Sequence, residues 1–224
     1  MKYKILFIDE EKDQHDCFKN YMDKVDDKVT VKCLYPLEDM KQMLELIEEE
    51  HPDAIVSDFL LNEIKTDIKY NVSYNGSELV NEYRTMRPNF PCFVLTSFDE
   101  DAVDNANDVN LVYVKNILHG GENNKNTSND LKIKVKLCDK IIIQIGKYKR
   151  FIEEAQAELT QLLDKKNNKG LSLHEEDRLV QLDSFLEKSL DSYTSLPDDV
   201  KKSENMNKLS TMIDKVDEML QKLG

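Results

Sequence analysis

Four short apolar runs along the chain each end at a polar side chain that could do chemistry. Asp9 and Glu10 follow YKILFI, residues 3–8; Asp58 ends AIVSD; Thr96 ends CFVLT; Lys115 follows LVYV. Runs of this length and composition read as buried strands. In an open parallel sheet, ligands bind beyond the carboxyl ends of the strands. If these strands are neighbours, three carboxylates, a hydroxyl and an ammonium converge at one sheet edge. Clustered carboxylates repel one another and need a cation, and hard oxygen donors suit Mg2+. A carboxylate beside such a cation can attack a phosphoryl group. Lys115 can pair with one phosphoryl oxygen and the Thr96 hydroxyl can donate to another. Phosphoryl transfer asks mainly for positioning and charge stabilisation, and this set supplies both. Each residue also has a plainer explanation. Acidic residues favour the start of a following helix, threonine suits a strand, and a lysine after a strand is commonly solvated.

The elements that must position these residues alternate. After the strand at 3–8, residues 13–25 place Phe18, Tyr21, Met22 and Val25 on one helical face. KVTVKCL (28–34) alternates as a strand does, and Leu37, Met40, Leu44 and Ile47 mark a helix that stops before Pro52. Gly76-Ser77 opens a helix with Leu79, Val80, Tyr83 and Met86 after the third strand. A short helix with Ala102, Val103 and Ala106 follows the fourth. Short apolar strands joined by helices predict a doubly wound, five-stranded parallel sheet over residues 1–128. HGGENNKNTSND, residues 119–130, reads as a linker.

Residues 129–224 have no strand rhythm and a single proline. Leu131, Val135, Cys138, Ile142, Ile145, Lys149, Ile152, Gln156, Leu159 and Leu163 follow a 4,3 spacing, which predicts a long helix with a seam. KIKVKL (132–137) also alternates, which leaves the start of that helix open. NNKG (167–170) ends it, and Ser172 with Glu175 forms a capping box for a second helix lined by Leu179, Leu182, Leu186 and Tyr193. Pro197 suits the first turn of a third, whose seam is Met206, Leu209, Ile213, Val216, Leu220 and Leu223. The carboxyl-terminal region is thus expected to be a helical hairpin or an antiparallel coiled coil.

The net charge of −13 argues against a non-specific nucleic-acid binder, which needs Lys and Arg for phosphate contacts. The Lys-rich run 132–150 is read as a solvated helix face. There is no signal-peptide pattern and no apolar run of membrane-spanning length, so a cytoplasmic protein without membrane contact is expected. The four cysteines are widely spaced and read as reduced thiols rather than zinc ligands.

The first half resembles the receiver domain of two-component response regulators. ILFIDEEKD is similar to that family's first strand and acidic pair, and AIVSD to its phosphoacceptor strand. NGSELVNEYR resembles the segment opening its third helix, FVLTS its hydroxyl-bearing fourth strand, and VYVK its lysine strand. The resemblance covers residues 2–118 and implies a flavodoxin-like fold. It implies Asp58 as phosphoacceptor, with Asp9, Glu10, Asp58 and the Leu60 backbone carbonyl as Mg2+ ligands. Thr96 becomes the switch hydroxyl and Lys115 the phosphoryl-binding lysine. The chain departs from the family in several places. Asn116 follows the lysine where proline is usual, and Val112 stands at the usual aromatic switch position, with Tyr113 one residue off. FLLNEIKTDIKYNVSYN, between Asp58 and Gly76, is about twice the usual loop and is either a lid over the site or a tolerated insertion.

The expected function is a response-regulator-like signalling protein rather than a dedicated enzyme. A histidine kinase or phosphotransfer protein would phosphorylate Asp58, and the helical region would relay the signal to a downstream protein partner. A homodimer stays open. The rival readings are a non-phosphorylated scaffold that binds a partner through the helices, an aspartyl phosphohydrolase, and a DNA-binding regulator. Leu60, where a hydrolase of the haloacid-dehalogenase type carries a second aspartate, weighs against the second. The acidic charge weighs against the third.

Overall fold

The computed structural model of the chain describes residues 2–23, 28–62, 67–97, 112–115, 118 and 137–190. The expected linker, the short helix after the fourth strand, the start of the long helix and the third carboxyl-terminal helix lie outside these residues. The elements are β1 (Tyr3–Ile8), α1 (Lys12–Asp23), β2 (Val29–Leu34), α2 (Met40–Glu49), β3 (Ala54–Asp58), α3 (Gly76–Met86), β4 (Cys92–Thr96), β5 (Val112–Val114), α4 (Leu137–Lys169) and α5 (Leu173–Leu190). They form two compact units, residues 1–85 with 89–148, and residues 86–88 with 149–224.

The first unit is a five-stranded sheet in the order β2-β1-β3-β4-β5, with every pairing parallel. This is the flavodoxin-like doubly wound arrangement. The strands are short and apolar because both of their faces are covered. Ile5, Phe7, Val56, Phe93 and Leu95 face one side, where Phe18 and Met22 of α1 and Leu137, Cys138, Ile141 and Ile145 of α4 close a single core. Phe7 and Phe18 stack there with centroids 4.3 Å apart. By the two-residue period of a strand, Leu6, Ile8, Ile55 and Val94 face the other side, and they too are buried. Met43 and Ile47 of α2 and Leu79, Val80 and Tyr83 of α3 supply the remaining buried apolar faces. Leu37, read as helical, precedes α2, because Asp39 caps that helix by accepting from the Gln42 amide at 2.9 Å.

In the second unit, α4 from Lys149 onward and α5 form an antiparallel hairpin. Arg178 donates twice to Glu158, Lys165 pairs with Glu175, and Phe151 meets Phe185, so contacts close inward from the turn. Gly170 ends α4 at φ +78°, a left-handed conformation suited to glycine, and the Glu175 carboxylate accepts from the Ser172 amide at the start of α5. Ala155, Leu182 and Leu186 are the buried centre, with Ile152, Leu159 and Leu162 against them. The seam therefore runs through Leu162 and not through Gln156 and Leu163; Leu163 is 43% exposed. A helix of 3.6 residues per turn drifts off a strict seven-residue repeat unless it supercoils.

Candidate phosphoryl and metal site

The chain runs from β1 out to β2 and then returns past β1 to β3. The crossovers on either side of this reversal leave a crevice beyond the carboxyl ends of β1 and β3. Asp9 is the first residue beyond β1, and Asp58 is the last of β3. One ligand oxygen from each of Asp9, Glu10 and Asp58 lies within 4.8 Å of the others, and all three side chains are buried. Their exposures are 0%, 2% and 4%.

Lys115 enters from the far side of the sheet, directly after β5. Its ammonium lies 2.9 Å from Asp58 Oδ1 and 3.2 Å from Asp9 Oδ2. The other Asp9 oxygen accepts from the Glu11 amide at 2.9 Å. Three clustered carboxylates with one lysine leave the site short of positive charge. Burial pushes the Asp58 carboxyl up to about 7, with Lys115 opposing and Asp9 and Glu10 adding to the rise. Burial also raises the Asp9 carboxyl, against the pull of Lys115 and the Glu11 amide. For Lys115, burial alone would lower the pKa, but Asp58 and Asp9 outweigh it and hold the ammonium protonated. The donor set is all oxygen, acidic and close-spaced, which fits a hard divalent cation.

Thr96 ends β4 and is buried. Asp58 pairs in register with Leu95, so Thr96 is one residue further out on the neighbouring strand. Leu60 opens the loop two residues after Asp58. Asp9, Glu10, Asp58 and Lys115 are thus brought together at one edge of the sheet, with Thr96 on the strand beside them. Tyr113 does not join them. It packs toward Phe93 and lies beneath Lys140 of α4, in the core on the opposite face. On the Thr96 face, β5 presents Val112 and Val114 by alternation.

Two positioning features escaped the sequence. The His15 ring approaches the Asp9 carbonyl with Nε2 at 2.9 Å, so Nε2 carries the proton and donates. The ring packs at 4.7 Å on Tyr35, and burial keeps its pKa low. Gly76 donates to the Phe59 carbonyl at 2.8 Å, and a β-carbon on it would fall 1.8 Å from the Asp58 carbonyl oxygen. Behind it, Asn75 and Glu78 form a reciprocal capping box that starts α3, each amide bonding the other's side chain at 2.9 Å. The N-x-x-E spacing was readable; the close approach to Asp58 is tertiary and was not.

No family model and no curated protein matches the chain. Solved structures similar to it include a protein of Chloroflexus aurantiacus J-10-fl assigned to the response regulators, at 15% identity and a TM-score of 0.40, covering 66% of this chain and 98% of that one. The anti-anti-sigma factor PhyR from Bartonella quintana aligns at 12% identity and 0.43, over 70% of this chain and 52% of that one. RcsB from Salmonella enterica serovar Typhimurium, in a structure bound to promoter rprA with BeF3−, aligns at 15% identity and 0.38, over 94% and 93%. Among the described residues no helix is long and apolar enough to cross a membrane.

Proposed function

We propose that this protein is a receiver-type signalling protein that accepts a phosphoryl group on Asp58. The observation that carries this reading is the Lys115 ammonium bridging Asp58 and Asp9 inside a buried acidic cluster at the topological switch point. Asp9, Glu10, Asp58 and the Leu60 carbonyl would hold Mg2+, whose bound charge would offset that of the cluster and of the transferring oxygens. An Asp58 carboxylate oxygen attacks phosphorus. The bond from phosphorus to the donor's imidazole nitrogen breaks, and that nitrogen keeps the electron pair, so the donor, already protonated on its other ring nitrogen, leaves as neutral imidazole. Lys115 moves its pairing from Asp58 to a phosphoryl oxygen, keeping its hold on Asp9. The Thr96 hydroxyl donates to a second oxygen. The donor is a histidine kinase or phosphotransfer protein, and the output is protein–protein contact through the helical region. Because β5 presents valines beside Thr96, the switch is transmitted without a threonine–aromatic relay.

Borohydride reduction of the phosphorylated chain, followed by peptide mapping, tests the assignment. Homoserine at position 58 supports it; reduction at another carboxylate, or none, removes Asp58 from the role.

A further inference from the structure

The segment between β3 and α3 leaves the sheet directly after Asp58 and returns to it at Gly76, whose amide closes on the Phe59 carbonyl at 2.8 Å. Its two ends therefore meet at the site. A tolerated insertion would be polar and loosely held. In this one Ile68, Val72 and Tyr74 are buried. The Tyr70 and Tyr74 hydroxyls donate to two successive backbone carbonyls of the β2–α2 connection, Pro36 and Leu37, each at 2.7 Å.

The same segment reaches the acidic turn. Asp67 Oδ2 accepts from the Lys12 amide at 2.9 Å. Lys12 is the first residue of α1, and its amide has no partner within the helix. The preceding residue, Glu11, donates to the Asp9 carboxylate. The contact sequence is thus Asp67, Lys12, Glu11, Asp9, and the residues after Asp67 lead to Gly76, which packs on Asp58. From this juxtaposition we infer that residues 67–75, tied to the Asp58 end of β3 through Gly76, fix the Asp9–Glu10 turn, with Asp67 as a positioning residue for divalent-cation binding. The inference rests on the receiver reading and adds a role for a segment that reading leaves idle. Side chains that orient metal ligands without touching the metal lower the cost of assembling the site.

The test is Mg2+ titration calorimetry on the full chain, with amide exchange at Lys12 recorded without Mg2+. Asp67→Ala is expected to weaken Mg2+ binding about tenfold and to speed exchange at Lys12. Asp67→Asn keeps a capping oxygen and is expected to bind within about twofold of wild type. Tyr74→Phe leaves every charge in place and is expected to weaken binding up to about fivefold, the factor one neutral hydrogen bond carries. Faster exchange in Asp67→Ala with unchanged Mg2+ affinity would overturn the positioning role and leave Asp67 a simple helix cap. Equal weakening by Asp67→Ala and Asp67→Asn would overturn it in favour of bare charge. Absence of Mg2+ binding in the wild type would instead remove the receiver reading, and the positioning role with it.

Discussion

Gly76 packs its α-carbon against the carbonyl of Asp58 so closely that a methyl group there would lie 1.8 Å from that oxygen and 2.6 Å from Ser57 Oγ. The first residue of α3 and the last of β3 are therefore fixed against each other by backbone, which cannot rotate away. Gly76→Ala is expected to cost about 3 kcal/mol or more in urea denaturation, the upper end for overpacking. A loss below about 0.5 kcal/mol would show that the helix start can move.

The pH dependence of stability follows from Asp58. Its carboxyl has an ordinary value of 3.8 and is raised to about 7 in the fold. Between these values the native state holds more protons than the unfolded chain, so stability falls as pH rises. The contribution is fully present below pH 3.8 and is lost as pH passes through about 7. Asp58→Asn mimics the protonated form and is expected to melt several degrees above wild type at pH 8, with the gap closing toward pH 4 and on adding Mg2+. A gap independent of pH would contradict the shift.

Lys115 separates metal binding from phosphoryl transfer. Lys115→Gln removes the cation that competes for Asp58 and Asp9, so Mg2+ affinity is expected to hold or rise. Adduct formation with a small phosphodonor is expected to fall about a hundredfold, the cost of losing one preorganised charge-stabilising donor. Parallel loss of both, measured by calorimetry and mass spectrometry, would mean that Lys115 only holds the site together.

In the helical hairpin, apolar burial outweighs the visible ion pairs. Leu182→Ala removes a buried leucine and is expected to cost about 3 kcal/mol. Arg178→Gln breaks a pair whose partners are 44% and 41% exposed and is expected to cost less than about 1 kcal/mol. Thermal melts of the two variants rank the effects; the reverse order would contradict this packing.

The strands were legible because a strand buried on both faces leaves a short, apolar run, and four of these carry the site residues at their ends. The start of α5 was likewise written locally, in Ser172 with Glu175. Leu163 was misread because a seven-residue pattern does not follow a straight helix for long. What Gly76, His15, Asp67, Tyr70 and Tyr74 touch was not legible, although Gly76 itself reads as a helix start. Their partners are the carbonyls of Asp58, Asp9, Pro36 and Leu37 and the amide of Lys12, brought to them by the fold and marked by no spacing in the chain. The loop after Asp58 is accordingly where sequence reasoning stopped at two alternatives and where the described residues show an anchored segment.

The central claim is that Asp58 is the phosphoacceptor of a Mg2+-dependent receiver site. Intact mass after incubation with acetyl phosphate tests it most directly, with wild type and Asp58→Ala compared in the presence and absence of Mg2+. A single phosphoryl adduct on wild type with Mg2+, absent from Asp58→Ala and from the metal-free sample, is the predicted result. An adduct of equal yield on Asp58→Ala, or none on folded wild type that binds Mg2+, would contradict it.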